Sequence, residues 1–549
     1  MAARTEARRA TENVRYAAPV GGINFAANTM DFPEKDSYLC DNMLPRPFGI
    51  EVRKGWRYWV PQESSFSGEV RSLMSFIAGD PIHSKLFCSP NDATGAIYDI
   101  TTPNAAPVVS LTPTTPCLTS GEWYSTNFVT PGNSFLCVVG AGAGYFLYSV
   151  TAGVGSWTTV TVGATAGKVE FPVDDTTTLD ELCFCWVWKN RLWFLKSKSA
   201  TAYYLPVGSV TGKLEAFEFG PQLSHGGALA FGASWTYDSG RGIDDGLIIY
   251  SEEGEVLIYQ GTDPASATDF GLKGSWWAGR TPVGRRGFCQ HGGDLIVITE
   301  YGVIRIADLV AGRLRSSSFV SDVGDKINTR LAGIISTRVD QSYWELLTYA
   351  PDELLILATP FTDEFSHLQQ NFVMNSITNA WATISGIDSL CSIVWDGKYI
   401  FGSRVGAVCH GFTGRQDGAS SDGLVAGDDV TGRMQTTFYD FGNPSVNKRA
   451  LRVKLYGLSE SPPSIKAAFR SEYDLGSLLS VSAPVTVSSL GWDTSTWDVG
   501  LWDNASSSFR RWIGVVGFGK KLSMIMAIRG SGRVIFTDFE VLYETGINL

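Results

Sequence analysis

Helical periodicity is nearly missing from this 549-residue chain. No long segment repeats apolar residues at spacings of three and four. Long apolar runs are missing too: nothing approaches the ~18 consecutive apolar residues of a membrane helix, so no stable membrane insertion is expected. Charge is sparse, at 18% of residues, with a formal net charge of -11. That balance argues against a protein that grips nucleic acid by neutralising phosphates over its whole surface, but not against a channel that DNA passes through. The nine cysteines are odd in number and scattered, and the five histidines lie far apart. Neither a disulfide framework nor a zinc site is expected, and folding in a reducing cytoplasm is. The opening MAARTEARRATENVR has four arginines and no apolar core, so it does not read as a secretory signal.

What the chain does have is glycine, 59 residues, and aromatics, 12%. Together they indicate short strands joined by tight turns. A hairpin pattern, two short apolar-aromatic runs around a turn cluster, recurs seven times, starting at 86, 135, 192, 247, 295, 354 and 399. The starts lie 45 to 59 residues apart; repeats of ~40–50 residues with several strands each are the signature of a β-propeller, expected here with six to eight blades. The length calls for more than one domain. After a Gly/Ser/Asp-rich stretch at 418–432 the period disappears. In 450–456, Leu451, Val453 and Leu455 alternate with Arg452 and Lys454, one buried face and one charged. This predicts an all-β chain in three parts: an N-terminal arm (1–20), a propeller with leader strands (21–429) and a β-sandwich platform (430–549).

Motifs that carry chemistry are incomplete. Gly514 to Lys520 resembles a phosphate-binding loop, but Lys521 replaces the magnesium-holding hydroxyl, and the next run reads as a strand, so a hairpin turn is expected. In GAGAG (140–144) Tyr145 stands where a dinucleotide fingerprint needs glycine. Cys183 and Cys185 have no second pair at ligand spacing and read as blade-core thiols. The pairs Asp174-Asp175, Asp244-Asp245 and Asp428-Asp429 read as solvated turn formers rather than a glycosidase pair. No G-x-S-x-G elbow and no complete Asp-box occur, Asp238-Ser239-Gly240 being the nearest piece. Trp492, Trp497 and Trp502 read as a structural ring ladder rather than a sugar platform. No cofactor, metal or catalytic residue is expected, and the chain is expected not to be an enzyme.

The two ends carry a family resemblance. Near the N-terminus the residues are Gly22, Asn24, Pro33, Asp36, Asn42, Pro45, Gly49, Arg53 and Gly55. Near the C-terminus they are Tyr439 to Pro444, Lys448 to Gly457, the Trp-Asp repeats and Asp538 to Glu544. Together they resemble the tail nozzle proteins of short-tailed bacteriophages, also described as tail tubular or DNA-stabilisation proteins. The resemblance covers roughly a third of the chain. It implies a virion structural protein of the tail, made in the bacterial cytoplasm. A ring of six copies would sit below the portal and its adaptor, conduct DNA during ejection, close before infection and carry fibres or spikes. An acidic conduit would let DNA slip past without sequence-specific binding. Arg4, Arg8, Arg9 and Arg15 are the expected adaptor-docking residues of the arm. The alternative reading is a glycan-acting or receptor-binding propeller.

Overall fold

Each of the seven sequence hairpins is the middle of a blade. The computed structural model describes residues 11–28, 30–238, 243–312, 323–361, 369–475 and 507–545. Blade 1 runs Val70–Phe76, Lys85–Pro90, Ile97–Asp99 and Val108–Leu111 as an antiparallel meander. Blades 2, 3 and 4 repeat this order, with inner strands Tyr124–Val129, Leu182–Trp188 and Leu229–Asp238. Blade 5 starts at Phe288–His291 and blade 6 at Glu345–Tyr349. Blade 7 takes Ser389–Trp395, Lys398–Ser403 and Val408–Gly411 from late in the chain. Its next strand is Trp56–Tyr58, from before blade 1, with Cys409 opposite Tyr58. Borrowing that early strand ties the ring shut. Inner strands pack on their neighbours in turn, blade 7 on blade 1 included.

Burial explains why the hairpins were visible. The second and third strands of a blade are covered on both faces by adjacent blades, so they read as unbroken apolar runs. Leu192 to Leu195 and Leu247 to Tyr250 are all fully buried.

Blade 5 departs from the pattern. It has three strands, and the chain then turns into two helices, α1 (Ile306–Val310) and α2 (Asp325–Arg338). Ile327, Leu331 and Ile335 of α2 recur every four residues and are buried against the sandwich side of the core. The expectation of almost no helix is therefore corrected at α2. Three apolar contacts over fourteen polar-rich residues gave a weak periodic signal.

The second unit is a β-sandwich. One sheet is ordered Met43–Arg46, Gly49–Val52, Val534–Thr545, Lys448–Ser459, Ser507–Gly519, with Thr11–Ala17 along Val534–Thr545. The other runs through Gly22–Ile23, Asp36–Asp41, Thr431–Thr436, Leu522–Arg529 and Ser464–Ser471, and is continuous with blade 6 through Ala380–Ile384. Among the described residues the protein is thus all-β: a propeller of seven blades on a sandwich built mainly from C-terminal strands. The assignment of 21–429 to the propeller is corrected at its start, because residues 22–52 hydrogen-bond with C-terminal strands. The arm is corrected as well: Thr11–Ala17 is a sandwich strand. So is the linker, whose Gln416–Ala419 and Asp428–Asp429 are strands of the blade 7 sheet.

Within 450–456 Val453 and Leu455 point inward as expected, but a bulge between Ala450 and Arg452 turns Leu451 half out and puts Ala450 in the core. Gly514 to Lys521 joins strands of opposite sheets, so the expected hairpin is a sheet-to-sheet crossing. Asp244-Asp245 lies within the strand Ile243–Ser251 rather than in a turn. Trp492, Trp497, Trp502 and Ser239-Gly240 lie outside the described residues.

Candidate functional site

Two places gather polar chemistry. The first is the joint between sandwich and propeller, and its centre is Arg53. This side chain is fully buried and uses every guanidinium proton. Nε donates to Asn42 Oδ1 at 2.7 Å, and Nη1 to Lys54 O at 2.9 Å and Asp417 Oδ1 at 2.8 Å. Nη2 donates to Ser385 O at 2.7 Å and Asp417 Oδ2 at 2.6 Å. A forked pair of this kind is among the strongest polar contacts a protein makes. It links the N-terminal sandwich strands, the blade 6–7 connection and the outer strand of blade 7. Nearby, Arg46, Arg415 and Arg533 converge on the buried carboxylate of Glu51.

The joint also explains the glycines of the N-terminal segment. Gly22 has φ +73° and lies against Trp381, whose carbonyl oxygen would sit 2.3 Å from an added Cβ. At Gly55 that distance, to Gln416 O, is 2.0 Å. Asn24 is buried, donates to Asp36 Oδ2 and caps the turn at Ala26 and Ala27. Asp36 in turn accepts from Lys326 of α2 at 2.7 Å.

The second place is the propeller axis. Inner strands from several blades line an open cavity of about 360 Å³. Aromatic rings of Phe184, Trp186 and Phe288 form much of its wall, with Arg285, Arg286 and Glu345 among them. Arg286 donates to Arg71 O (2.8 Å), Ser72 Oγ (2.9 Å) and Trp123 O (3.3 Å), and lies over the Tyr124 ring. Arg285 lines this cavity and a second one, of about 280 Å³, between blades 4 and 5. Its Nε is buried with no hydrogen-bond partner. Burial pulls the Arg285 pKa down, but Cys183, Tyr124, Glu252 and Glu122 outweigh that and hold it above the usual value.

The acids of the axis are already engaged. Ser392 donates to Glu345 at 2.5 Å, and Tyr124 donates to Glu122 at 2.5 Å. Burial raises the Glu345 pKa, against the opposing pull of Arg286 and Ser392.

Of the expected docking residues, Arg4, Arg8 and Arg9 lie outside the described residues. Arg15 sits in the strand Thr11–Ala17, paired with Asp538, and its guanidinium lies 4.6 Å from the centre of the Tyr456 ring. Its partners are thus within its own sandwich. Cys183 and Cys185 are buried in the blade 3 core, where burial raises both thiol pKa values. Asp175 accepts from Thr177 and Tyr203 rather than pointing to solvent. Sequence reading missed Arg285, Arg286 and Glu345. The only local signal was the doublet in VGRRG, and nothing in it says that the axis lies there.

No family model matches this chain, and no curated protein matches it. Solved structures align with this chain. One is described as a putative 6-phosphogluconolactonase from Bacteroides fragilis, at 9% identity and TM-score 0.31, covering 61% of this chain and 87% of that one. Another is an exo-β-1,3-galactanase from Phanerochaete chrysosporium, at 8% identity and TM-score 0.23, covering 65% and 94%. The expectation that this chain is not an enzyme is corrected by this finding: both of these matches are described as enzymes. The missing motifs exclude only the chemistries those motifs serve.

Proposed function

We propose that this chain is a structural component of a short-tailed phage tail, the nozzle that receives DNA below the portal and adaptor and carries fibres or spikes. One observation carries the reading. The two segments that resemble nozzle proteins lie some four hundred residues apart in sequence, yet they form one module. The strand Gly49–Val52 pairs with Val534–Thr545, which carries Asp538 to Glu544, and the Tyr439 hydroxyl donates to Glu34 O at 3.5 Å. Two unrelated likenesses would have no reason to meet in one sandwich.

The geometry also constrains how such a nozzle works. The cavity at the propeller axis, of about 360 Å³, is far too small for a duplex whose major groove alone is about 12 Å wide. This supports a conduit formed between copies arranged in a ring. The net charge of -11 favours passage over phosphate binding along such a wall.

The test is peptide mass spectrometry on density-banded virus particles from the source culture. Co-banding in a small fixed ratio to the major capsid protein supports the nozzle. Recovery only in the soluble fraction overturns it and turns attention to the glycan-acting or receptor-binding alternative.

A further inference from the structure

The charge at the propeller axis runs against that of the molecule. The chain carries a net charge of -11, yet two adjacent guanidiniums reach the axial cavity and neither forms an ion pair among the described residues. Arg286 is held by a hydroxyl and two carbonyl oxygens, all neutral. Arg285 touches the Cys183 thiol and has a buried Nε with no partner. The carboxylates of Glu345 and Glu122 accept from the hydroxyls of Ser392 and Tyr124. Glu252 and Glu122 hold charge near Arg285, and Glu345 and Glu122 near Arg286, without reaching ion-pair distance, so the buried Arg285 Nε is left as an unpartnered donor that an entering anion would satisfy. The walls beside it are aromatic, and the volume is that of a small-molecule site.

We propose that the axial cavity binds a small organic oxyanion, with Arg285 as the direct ligand and Arg286 as the fixed charge behind it. The head group is a phosphate or a carboxylate, and Phe184, Trp186 and Phe288 take its carbon body. The second cavity, between blades 4 and 5, shares Arg285 but is also lined by Glu252, Glu253 and Asp340. This inference does not depend on the tail reading: a nozzle and a free-standing propeller would use the same site.

The experiment is calorimetric and thermal titration of the full chain with sodium phosphate and with citrate, against sodium chloride at matched ionic strength. A saturable signal with phosphate, citrate or both, absent with chloride, is expected, and which of the two binds assigns the head group. Arg285→Met is expected to weaken binding by about tenfold or more, since a hydrogen bond to a charged group is lost. Arg285→Lys keeps part of it, and Glu345→Gln, which removes a negative charge from the wall, strengthens it. Lys273→Met, at an exposed lysine on blade 4, leaves it unchanged. Absence of saturable binding to the unmodified chain overturns the proposal whatever the variants do. So does equal binding by a folded Arg285→Met protein.

Discussion

Removing the Asp417 carboxylate tests the joint directly. In Asp417→Ala, Arg53 keeps its charge and its burial but loses two of five hydrogen bonds, those of 2.8 and 2.6 Å. Its remaining acceptors, Asn42, Lys54 and Ser385, are neutral. Stranding a buried charge in this way costs about 3–5 kcal/mol. Arg53→Met/Asp417→Ala removes both charges, leaving carbonyl oxygens and the Asn42 amide oxygen under-satisfied, which is a smaller penalty than an unpaired cation. The double variant is therefore less destabilised than the sum of the singles, by about 0.5–3 kcal/mol of coupling. Urea unfolding followed by tryptophan fluorescence reads this as the midpoint of the transition that separates sandwich from propeller. A single Asp417→Ala within about 0.5 kcal/mol of the unmodified protein, the range of a surface change, would refute the reasoning. So would strict additivity in the cycle.

Three further outcomes are expected. Burial raises the Glu345 pKa, so this group favours folding below the unfolded carboxyl value of about 4.5 and loses that contribution as pH rises through the folded value. Glu345→Gln should then raise the melting temperature at pH 7 to 8 more than at pH 4.5, and a pH-independent difference would count against it. His410 is buried, and burial, Arg57 and Lys398 lower its pKa from 6.5 to about 4. The unfolded chain binds its proton more readily across that window, so stability falls as pH drops from 6.5 to 4, and His410→Leu should flatten that slope in acid-unfolding curves. Gly55→Ala drives a Cβ to 2.0 Å from Gln416 O and 2.4 Å from its carbonyl carbon. Both are backbone atoms with no rotamer to turn, so the seam between Trp56–Tyr58 and blade 7 should open first, seen as faster hydrogen exchange at Arg57 and Tyr58 than in the unmodified chain.

Legibility followed burial. Strands covered on both faces advertise themselves as apolar runs, and Leu295 to Ile298 or Leu354 to Leu357 could be read without knowing their neighbours. Strands covered on one face, or borrowed from elsewhere, could not. Trp56–Tyr58 is three half-buried residues, and its place as a strand of blade 7 is set by a partner some 350 positions away. The same holds for residues 22–55: their glycines, asparagines and Asp36 could be matched to a family texture, but their reason is contact with Trp381, Gln416, Lys326 and Ser385, which only the folded chain supplies. Helix α2 was hidden differently. It replaces the fourth strand of a blade, so the repeat itself argued against looking for it there.

The axial residues were the least legible of all, and the cause is topological. Arg285 and Arg286 stand just before the short inner strand of blade 5, Phe288–His291, flanked by Gly284 and Gly287. On sequence that is a polar turn between two strands, the commonest place for a solvated arginine. A closed ring reverses its meaning, because closure brings the inner strands to one axis and whatever precedes such a strand at the right end faces the axis instead of water. Seven-fold closure depends on Trp56–Tyr58 returning to blade 7. Holding that return in place is the work of the Arg53–Asp417 fork, since Asp417 lies on the strand beside Trp56. The joint and the axis are therefore coupled: loosening the fork should weaken oxyanion binding at the axis before the blades themselves unfold. Arg53→Lys, which keeps the charge but loses the fork, should show that order in a titration at urea concentrations below the unfolding midpoint.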